Sequence, residues 1–128
     1  MSPAYNPLIM VAKDSLQNQK NMRFCLTKAG FSHVRFVQNG ESCLRALDAE
    51  IPAVIILDTI LPDMDGFEIC LEARKKKFKG KIIISTGHID AVDAEKAKTS
   101  GADDYVVKTS DFSSFIESLK KIFGSLWR

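Results

Sequence analysis

The 128-residue sequence has few cysteines and no long apolar run. Cys25, Cys43 and Cys70 form no CxxC pair, which argues against a zinc site and against a disulfide framework. No apolar run approaches the ~20 residues that span a bilayer, and the first residues lack the features of an export signal. The net charge is only +2, so no polyanionic partner such as nucleic acid is implied. We expect a cytoplasmic protein without membrane insertion.

The length fits one domain, and we expect residues 1–128 to form it. Short apolar runs rich in β-branched residues alternate with segments of helical periodicity. These runs predict five strands, at 8–12, 34–38, 53–57, 81–86 and 105–108. The periodic segments predict five helices, at 15–29, 41–49, 66–78, 91–100 and 112–126, with Gly30 ending the first. Strict alternation predicts a doubly wound α/β domain, a parallel sheet with helices on both faces.

Polar residues follow or end four of the predicted strands. Lys13 and Asp14 follow the first strand, Asp58 follows the third, Thr86 ends the fourth and Lys108 ends the fifth. In doubly wound folds, ligands bind beyond these carboxyl ends. A carboxylate can be the nucleophile in phosphoryl transfer, and cations and hydroxyls stabilise the charge that develops. The sequence therefore predicts one site at this edge of the sheet.

From Leu8 to about Phe123, the sequence resembles the receiver domain of bacterial two-component response regulators. The resemblance rests on ILDTILPDMDG at the third strand, STG at the fourth and GADDYVVK leading into the fifth, in this order and spacing. It implies a flavodoxin-like fold, with five parallel strands in the order 2-1-3-4-5 and five helices. It also implies phosphorelay signalling by a domain that is not an enzyme.

The resemblance implies a role for individual residues. Asp58 would be the phosphoacceptor, Thr86 would hydrogen-bond the phosphoryl group and Lys108 would neutralise it. Tyr105 would form a switch with Thr86, changing rotamer when Thr86 moves. The partners implied are a histidine kinase or phosphotransfer protein, and a downstream protein that binds the face formed by the fourth helix, fifth strand and fifth helix. No direct binding of nucleic acid is expected.

The first departure from the family pattern is Lys13, since most members have two acidic residues after the first strand. We therefore expect Mg²⁺ to bind weakly or not at all, with Asp14, Asp58 and the backbone carbonyl of Ile60 as its ligands. Two interpretations of Lys13 remain open. Its ammonium reaches Asp58 and stands in for metal charge, or its stem extends along the rim and the charge stays in water.

The second departure is Thr109, where the family usually has a proline with a cis peptide bond. A non-proline cis bond costs ~2.5–4 kcal/mol, so we expect a trans bond between Lys108 and Thr109. Together the departures keep an alternative function open, a phosphorylation-independent pseudo-receiver that acts as a protein-interaction module. A phosphohydrolase is disfavoured, because DTILPD does not match the DxDx[TV] motif of such enzymes.

Three further features have mainly structural interpretations. The basic stretch RKKKFKGK, residues 74–81, is either a patch for an acidic partner or, as we favour, a solvated helix end whose cations complement the helix dipole. Asp63 and Asp65 are predicted to serve solvation and turn chemistry. Gly66 is predicted to supply an unusual backbone angle before the third helix, and Gly87 to allow close approach of the backbone.

Overall fold

A computed structural model describes residues 6–13, 16–87, 90–109 and 112–123. In these ranges the strands are β1 (Ile9–Ala12), β2 (Val34–Val37), β3 (Val54–Asp58), β4 (Lys81–Thr86) and β5 (Asp104–Val107). The helices are α1 (Leu16–Lys28), α2 (Gly40–Ala46), α3 (Gly66–Lys75), α4 (Ala91–Ser100) and α5 (Ser113–Phe123). Within the same ranges, no helix is both long and apolar enough to cross a membrane.

The strands form one parallel sheet in the order β2-β1-β3-β4-β5, which confirms the predicted topology. The chain order reverses between β1 and β3, so these neighbouring strands define the switch point at which doubly wound folds bind ligands. Their register places Ala12 opposite Leu57. The next residues, Lys13 and Asp58, therefore lie side by side at the carboxyl edge of the sheet.

Each face of the sheet is covered by its own set of helices. Alternate strand residues point to opposite faces, so Met10 and Ile55 belong to one core cluster and Val11 and Ile56 to the other. The first cluster includes side chains of α2, α3 and α4, whereas the second includes side chains of α1 and α5. Because β1 and β3 are buried along their whole length, their carboxyl ends have little freedom to shift.

Two helix ends differ in how well the sequence predicts them. Gly30 ends α1 as predicted, with a left-handed φ of 100°, and the N–H of Phe31 donates to the carbonyl of Leu26 at 2.8 Å. Helix α3 was predicted to reach residue 78 but ends at Lys75. The reason is a left-handed turn at Lys77, with φ of 69°, a conformation that a lysine side chain does not signal.

The basic stretch at residues 74–81 is only partly a solvated helix end. Four of its lysines are exposed, in agreement with the favoured interpretation as a solvated helix end: Lys75, Lys76, Lys77 and Lys79. Arg74 contradicts it, because its guanidinium forms an ion pair with Asp103 and donates to backbone carbonyls of later segments. Its charge therefore stabilises contacts within the domain and is not directed to solvent.

Candidate functional site

The carboxyl ends of β3, β4 and β5 meet as predicted and bring three candidate residues together. Asp58 is the last residue of β3 and is buried, and its register partner on β4 is Ser85. Thr86, also buried, ends β4. Lys108 directly follows β5, and its backbone N–H donates to the carbonyl of Thr86 at 2.7 Å. Backbone pairing therefore fixes the spacing of these residues.

Two lysine ammonium groups contact the Asp58 carboxylate, one at each oxygen. Lys108 Nζ donates to Oδ1 at 2.7 Å, and Lys13 Nζ lies 3.5 Å from Oδ2. The side chain of Lys108 is 34% exposed, whereas that of Lys13 is only 3% exposed. The interpretation of Lys13 as a solvated rim residue is therefore wrong, and the interpretation in which its ammonium reaches Asp58 is confirmed as an ion pair.

The backbone of Lys13 is held from two sides. Its N–H donates to the carbonyl of Val37 on β2 at 2.9 Å, and its own carbonyl accepts from the Gln19 side-chain amide on α1 at 2.7 Å. With the backbone held on the β2 and α1 sides, the lysine side chain extends toward Asp58. Sequence reasoning missed Gln19, because nothing in the pattern of α1 distinguishes it from the other polar residues of that helix.

Lys108 keeps its place without the proline that usually follows it in the family. The peptide bond between Lys108 and Thr109 is trans, as predicted. The end of β5 is fixed instead by hydrogen bonds on both sides, since the N–H of Lys108 donates to Thr86 and the hydroxyl of Ser114 on α5 donates to the carbonyl of Val107. Thr109 is therefore compatible with a lysine directed at Asp58.

The described part of the pocket does not fit a divalent cation. Of the three ligands predicted for Mg²⁺, Asp14 lies outside the described residues, and Ile60 follows β3 in a loop bridged to Asp65. The remaining ligand, Asp58, has an ammonium beside each oxygen. A cation bound to either oxygen would be repelled by the adjacent ammonium, most strongly by that of Lys13, which is shielded from water.

Tyr105 directs its side chain toward the core beneath α4. Its ring packs against Phe67 with centroids 6.3 Å apart. Its hydroxyl is buried and has no hydrogen-bond partner among the residues described. Burial raises the pKa of this hydroxyl, and the nearby Thr86 side chain opposes the shift with a smaller effect, although the contact falls short of hydrogen-bond geometry. The rotamer change assigned to Tyr105 stays a prediction.

The loop between β3 and α3 is fixed by two aspartates, in keeping with the turn chemistry predicted for them. Asp63 accepts from the backbone N–H groups of Gly40 and Glu41, at 2.8 and 2.9 Å, and so caps α2. These hydrogen bonds lower the pKa of Asp63. Asp65 caps α3 in a reciprocal capping box with Glu68. The sequence did not show that Asp63 serves a helix that precedes it in the chain.

Gly66 is needed for a different reason than predicted. Its φ is not left-handed, which contradicts the predicted unusual backbone angle. A Cβ at this position would instead lie 2.5 Å from the backbone oxygen of Asp58. The start of α3 thus packs directly against the acceptor residue. A Cβ at Gly87 would meet nothing within 4 Å.

The sequence of this chain is similar to the sequences of known proteins. The family model for the response regulator receiver domain matches residues 9–120. Transcriptional regulatory protein AfsQ1 of Streptomyces coelicolor is 35% identical over 102 residues, which cover 80% of this chain and 44% of that protein. The chain thus spans less than half the length of that relative.

Two solved structures have the same fold with a TM-score of 0.80. The BeF3-activated DrrB receiver domain is 28% identical, with 93% of this chain and 98% of that chain covered. Response regulator TrrA of Thermotoga maritima, in complex with Mg²⁺-BeF, is 29% identical, with 91% and 98% covered. In both comparisons the similarity covers more than nine-tenths of this chain.

Proposed function

Because this chain belongs to the response regulator receiver domain family, we propose that it accepts a phosphoryl group on Asp58 in a two-component signalling system. The observation that carries the proposal is the 2.7 Å contact between the Lys108 ammonium and the buried Asp58 carboxylate, at the carboxyl edge of the sheet. A nucleophile and a cation to neutralise the transferred group are thus already adjacent.

In the proposed reaction, one oxygen of Asp58 forms a bond to phosphorus while the bond between phosphorus and its leaving group breaks. The leaving group keeps the electron pair of the broken bond. Lys108 shifts its hydrogen bond from the carboxylate to the phosphoryl oxygens, where the negative charge has moved. Thr86, at the end of the neighbouring strand, is the hydroxyl donor for the same group.

The phosphoryl donor in this proposal is a histidine kinase or phosphotransfer protein. Thr86 and Tyr105 form the switch, in which movement of Thr86 toward the phosphoryl group changes the rotamer of Tyr105. The signal then passes to a downstream protein at the surface of α4, β5 and α5. Val92 on α4 already presents a largely exposed apolar side chain there. We assign neither nucleic-acid binding nor an enzymatic activity to this domain.

The proposal gives Mg²⁺ at most a weak role. Its ligands would be Asp58, the backbone carbonyl of Ile60 and Asp14. Lys13 opposes such binding, because its buried ammonium lies beside Asp58. No step of the proposed reaction passes through a metal ion.

One observation favours a second function, a protein-interaction module that works without phosphorylation. Both oxygens of Asp58 already have an ammonium neighbour, so the carboxylate is neutralised before any phosphoryl group arrives. In that case the ion pairs of Lys13 and Lys108 would hold a permanent conformation. The two functions differ in whether Asp58 is ever modified.

Intact mass spectrometry after incubation with acetyl phosphate or phosphoramidate tests the proposal. We expect one phosphoryl group per chain in the wild type and none in Asp58→Asn. Asp48→Asn is the matched control, since Asp48 is an exposed aspartate that pairs with Lys76 and not with a lysine of the site. Absence of modification in the wild type with both donors would reject phosphoryl acceptance and favour the interaction module.

A further inference from the structure

We propose that the ammonium of Lys13 takes the place of a divalent cation beside Asp58, so that transfer of the phosphoryl group proceeds without a metal ion. This inference rests on the proposed function, because it concerns the same acceptor. It starts from the disagreement between the pocket and a metal ion, since the oxygen of Asp58 that faces away from Lys108 is already faced by Lys13.

The position of Lys13 is built into the fold. Its side chain is 3% exposed, and its backbone N–H and carbonyl are bonded to Val37 and Gln19. A buried lysine of this kind cannot swing into water as a surface lysine does, so its ammonium stays near Asp58. In surroundings shielded from water, its attraction to a negative group is stronger than at the surface.

The formal charges beside Asp58 also indicate that no metal ion is needed there. The described charged side chains, those of Lys13, Asp58 and Lys108, sum to +1, whereas an aspartate at position 13 would give a sum of −1. The difference of two charges equals the charge of one divalent cation. A phosphoryl donor with two negative charges therefore meets described side chains that carry no net negative charge, and no net repulsion has to be neutralised by a metal ion first.

The chemical step balances with the groups present. With acetyl phosphate as donor, a carboxylate oxygen of Asp58 bonds to phosphorus, the bond between phosphorus and the acetyl oxygen breaks, and acetate leaves with the electron pair. No proton is consumed, and the total charge of −3 is the same before and after. The Lys13 ammonium has three N–H donors, which allows it to contact a phosphoryl oxygen while it remains beside Asp58.

Phosphorylation by acetyl phosphate in excess EDTA and in excess Mg²⁺ tests the inference, with intact mass as the readout. We expect wild-type rates in the two conditions to agree within about twofold, because the required cation is part of the chain. Lys13→Met should be modified at least about tenfold more slowly in EDTA, since removal of a single oxyanion-hole donor costs about 10²–10³-fold in rate. Lys13→Asp should be modified only with Mg²⁺. Lys20→Met, at an exposed lysine of α1, should behave as wild type.

Calorimetric titration with Mg²⁺ gives a readout that does not depend on the reaction. Wild type should show no binding and Lys13→Asp should show it, with circular dichroism verifying that each variant is folded. A wild type modified only when Mg²⁺ is present would overturn the inference and leave the proposed function intact. A wild type modified in neither condition would overturn both.

Discussion

The guanidinium of Arg74 lies 2.9 Å from Oδ2 of Asp103 and connects the last turn of α3 to the residue that precedes β5. The same side chain donates to three backbone carbonyls at 2.8–3.0 Å, those of Phe78, Gly80 and Gly101. One charged side chain therefore satisfies carbonyls from the loop that precedes β4 and from the loop that precedes β5. Its contribution is expected to exceed that of an ordinary surface ion pair.

Arg74→Ala should lower the free energy of unfolding by about 2–4 kcal/mol, because several charge-assisted hydrogen bonds are lost and partly buried carbonyls lose their donor. Urea denaturation monitored by circular dichroism measures the change. Lys75→Ala removes an exposed neighbour with the same charge and should change stability by less than about 0.5 kcal/mol. Equal effects of the two substitutions would show that Arg74 is only a surface charge.

The strands could be predicted from the sequence, whereas the contacts of Arg74 could not. Strand and helix positions follow from local periodicity, so the alternating order and the parallel sheet were predictable, and β4 was predicted with its correct bounds. The contacts of Arg74 depend on carbonyls that lie 4–27 residues further along the chain. No local pattern distinguishes an arginine that reaches them from the lysines that follow it.

The site was predictable to a similar extent. Asp58, Thr86 and Lys108 could be placed together because each stands at a strand end. The orientation of Lys13 remained open, because it depends on a hydrogen bond to the carbonyl of Val37 and one from the amide of Gln19, which form only when β2 and α1 pack around β1. The burial of this ammonium is a tertiary property, which a charged residue at a strand end does not reveal.

Asp63→Ala should lower stability by about 0.5–1 kcal/mol at neutral pH, because the N–H groups of Gly40 and Glu41 at the start of α2 lose their acceptor, while the N-cap Asn39 is kept. The folded-state pKa of Asp63 is lowered, so its contribution is present above the unfolded pKa of ~3.9 and is lost as the pH falls through the lower folded value. Urea titrations at pH 7 and near pH 3 should show the difference from wild type shrinking in acid. A difference that grows in acid would contradict the capping role.

Gly66→Ala should destabilise the protein by about 1–3 kcal/mol, because the added methyl group would contact the backbone oxygen of Asp58 and displace α3 or the end of β3. Gly87→Ala is the matched control, since its Cβ would lie in open space and its φ is not left-handed. Its effect should stay within about 0.5 kcal/mol. Chemical denaturation of both variants measures these values, and similar stabilities would argue against close packing at Asp58.

Tyr105→Phe should raise the free energy of unfolding by up to about 1 kcal/mol, because it removes a buried hydroxyl that lacks a hydrogen bond. The pKa of Tyr105 is raised in the folded state, so its titration leaves the stability of the wild type unchanged below the unfolded pKa of ~10 and lowers it as the pH rises through the folded value. The advantage of the variant over wild type should therefore grow above about pH 10. Thermal unfolding at pH 7 and pH 10.5 measures both effects.

Tyr105→Leu is the matched control for that comparison, because it also removes the ring that packs on Phe67. It should destabilise the protein by about 1–3 kcal/mol. If Tyr105→Phe proved as destabilising as Tyr105→Leu, the hydroxyl of Tyr105 would have to form a hydrogen bond in solution.

Asp58→Asn should lower the free energy of unfolding by about 1–3 kcal/mol, since it leaves two ammonium groups beside an uncharged amide. Lys108 is one-third exposed and can turn to water, whereas Lys13 is 3% exposed and cannot, so most of the loss should come from Lys13. Lys13→Met alone should change stability by less than about 1 kcal/mol, because Asp58 keeps its contact with Lys108 and one buried charge is removed.

A double-mutant cycle separates these contributions. In the Lys13→Met background, Asp58→Asn should cost at least about 1 kcal/mol less than in the wild type, because the ammonium that would remain without a carboxylate is gone. The same cycle with Lys20→Met should show no coupling, since that lysine is exposed on α1. Urea denaturation at low and high salt should give similar coupling energies, because a pair buried this deeply is poorly screened. If Asp58→Asn raised stability, or its cost did not depend on Lys13, the ammonium of Lys13 would not be held by the acceptor carboxylate.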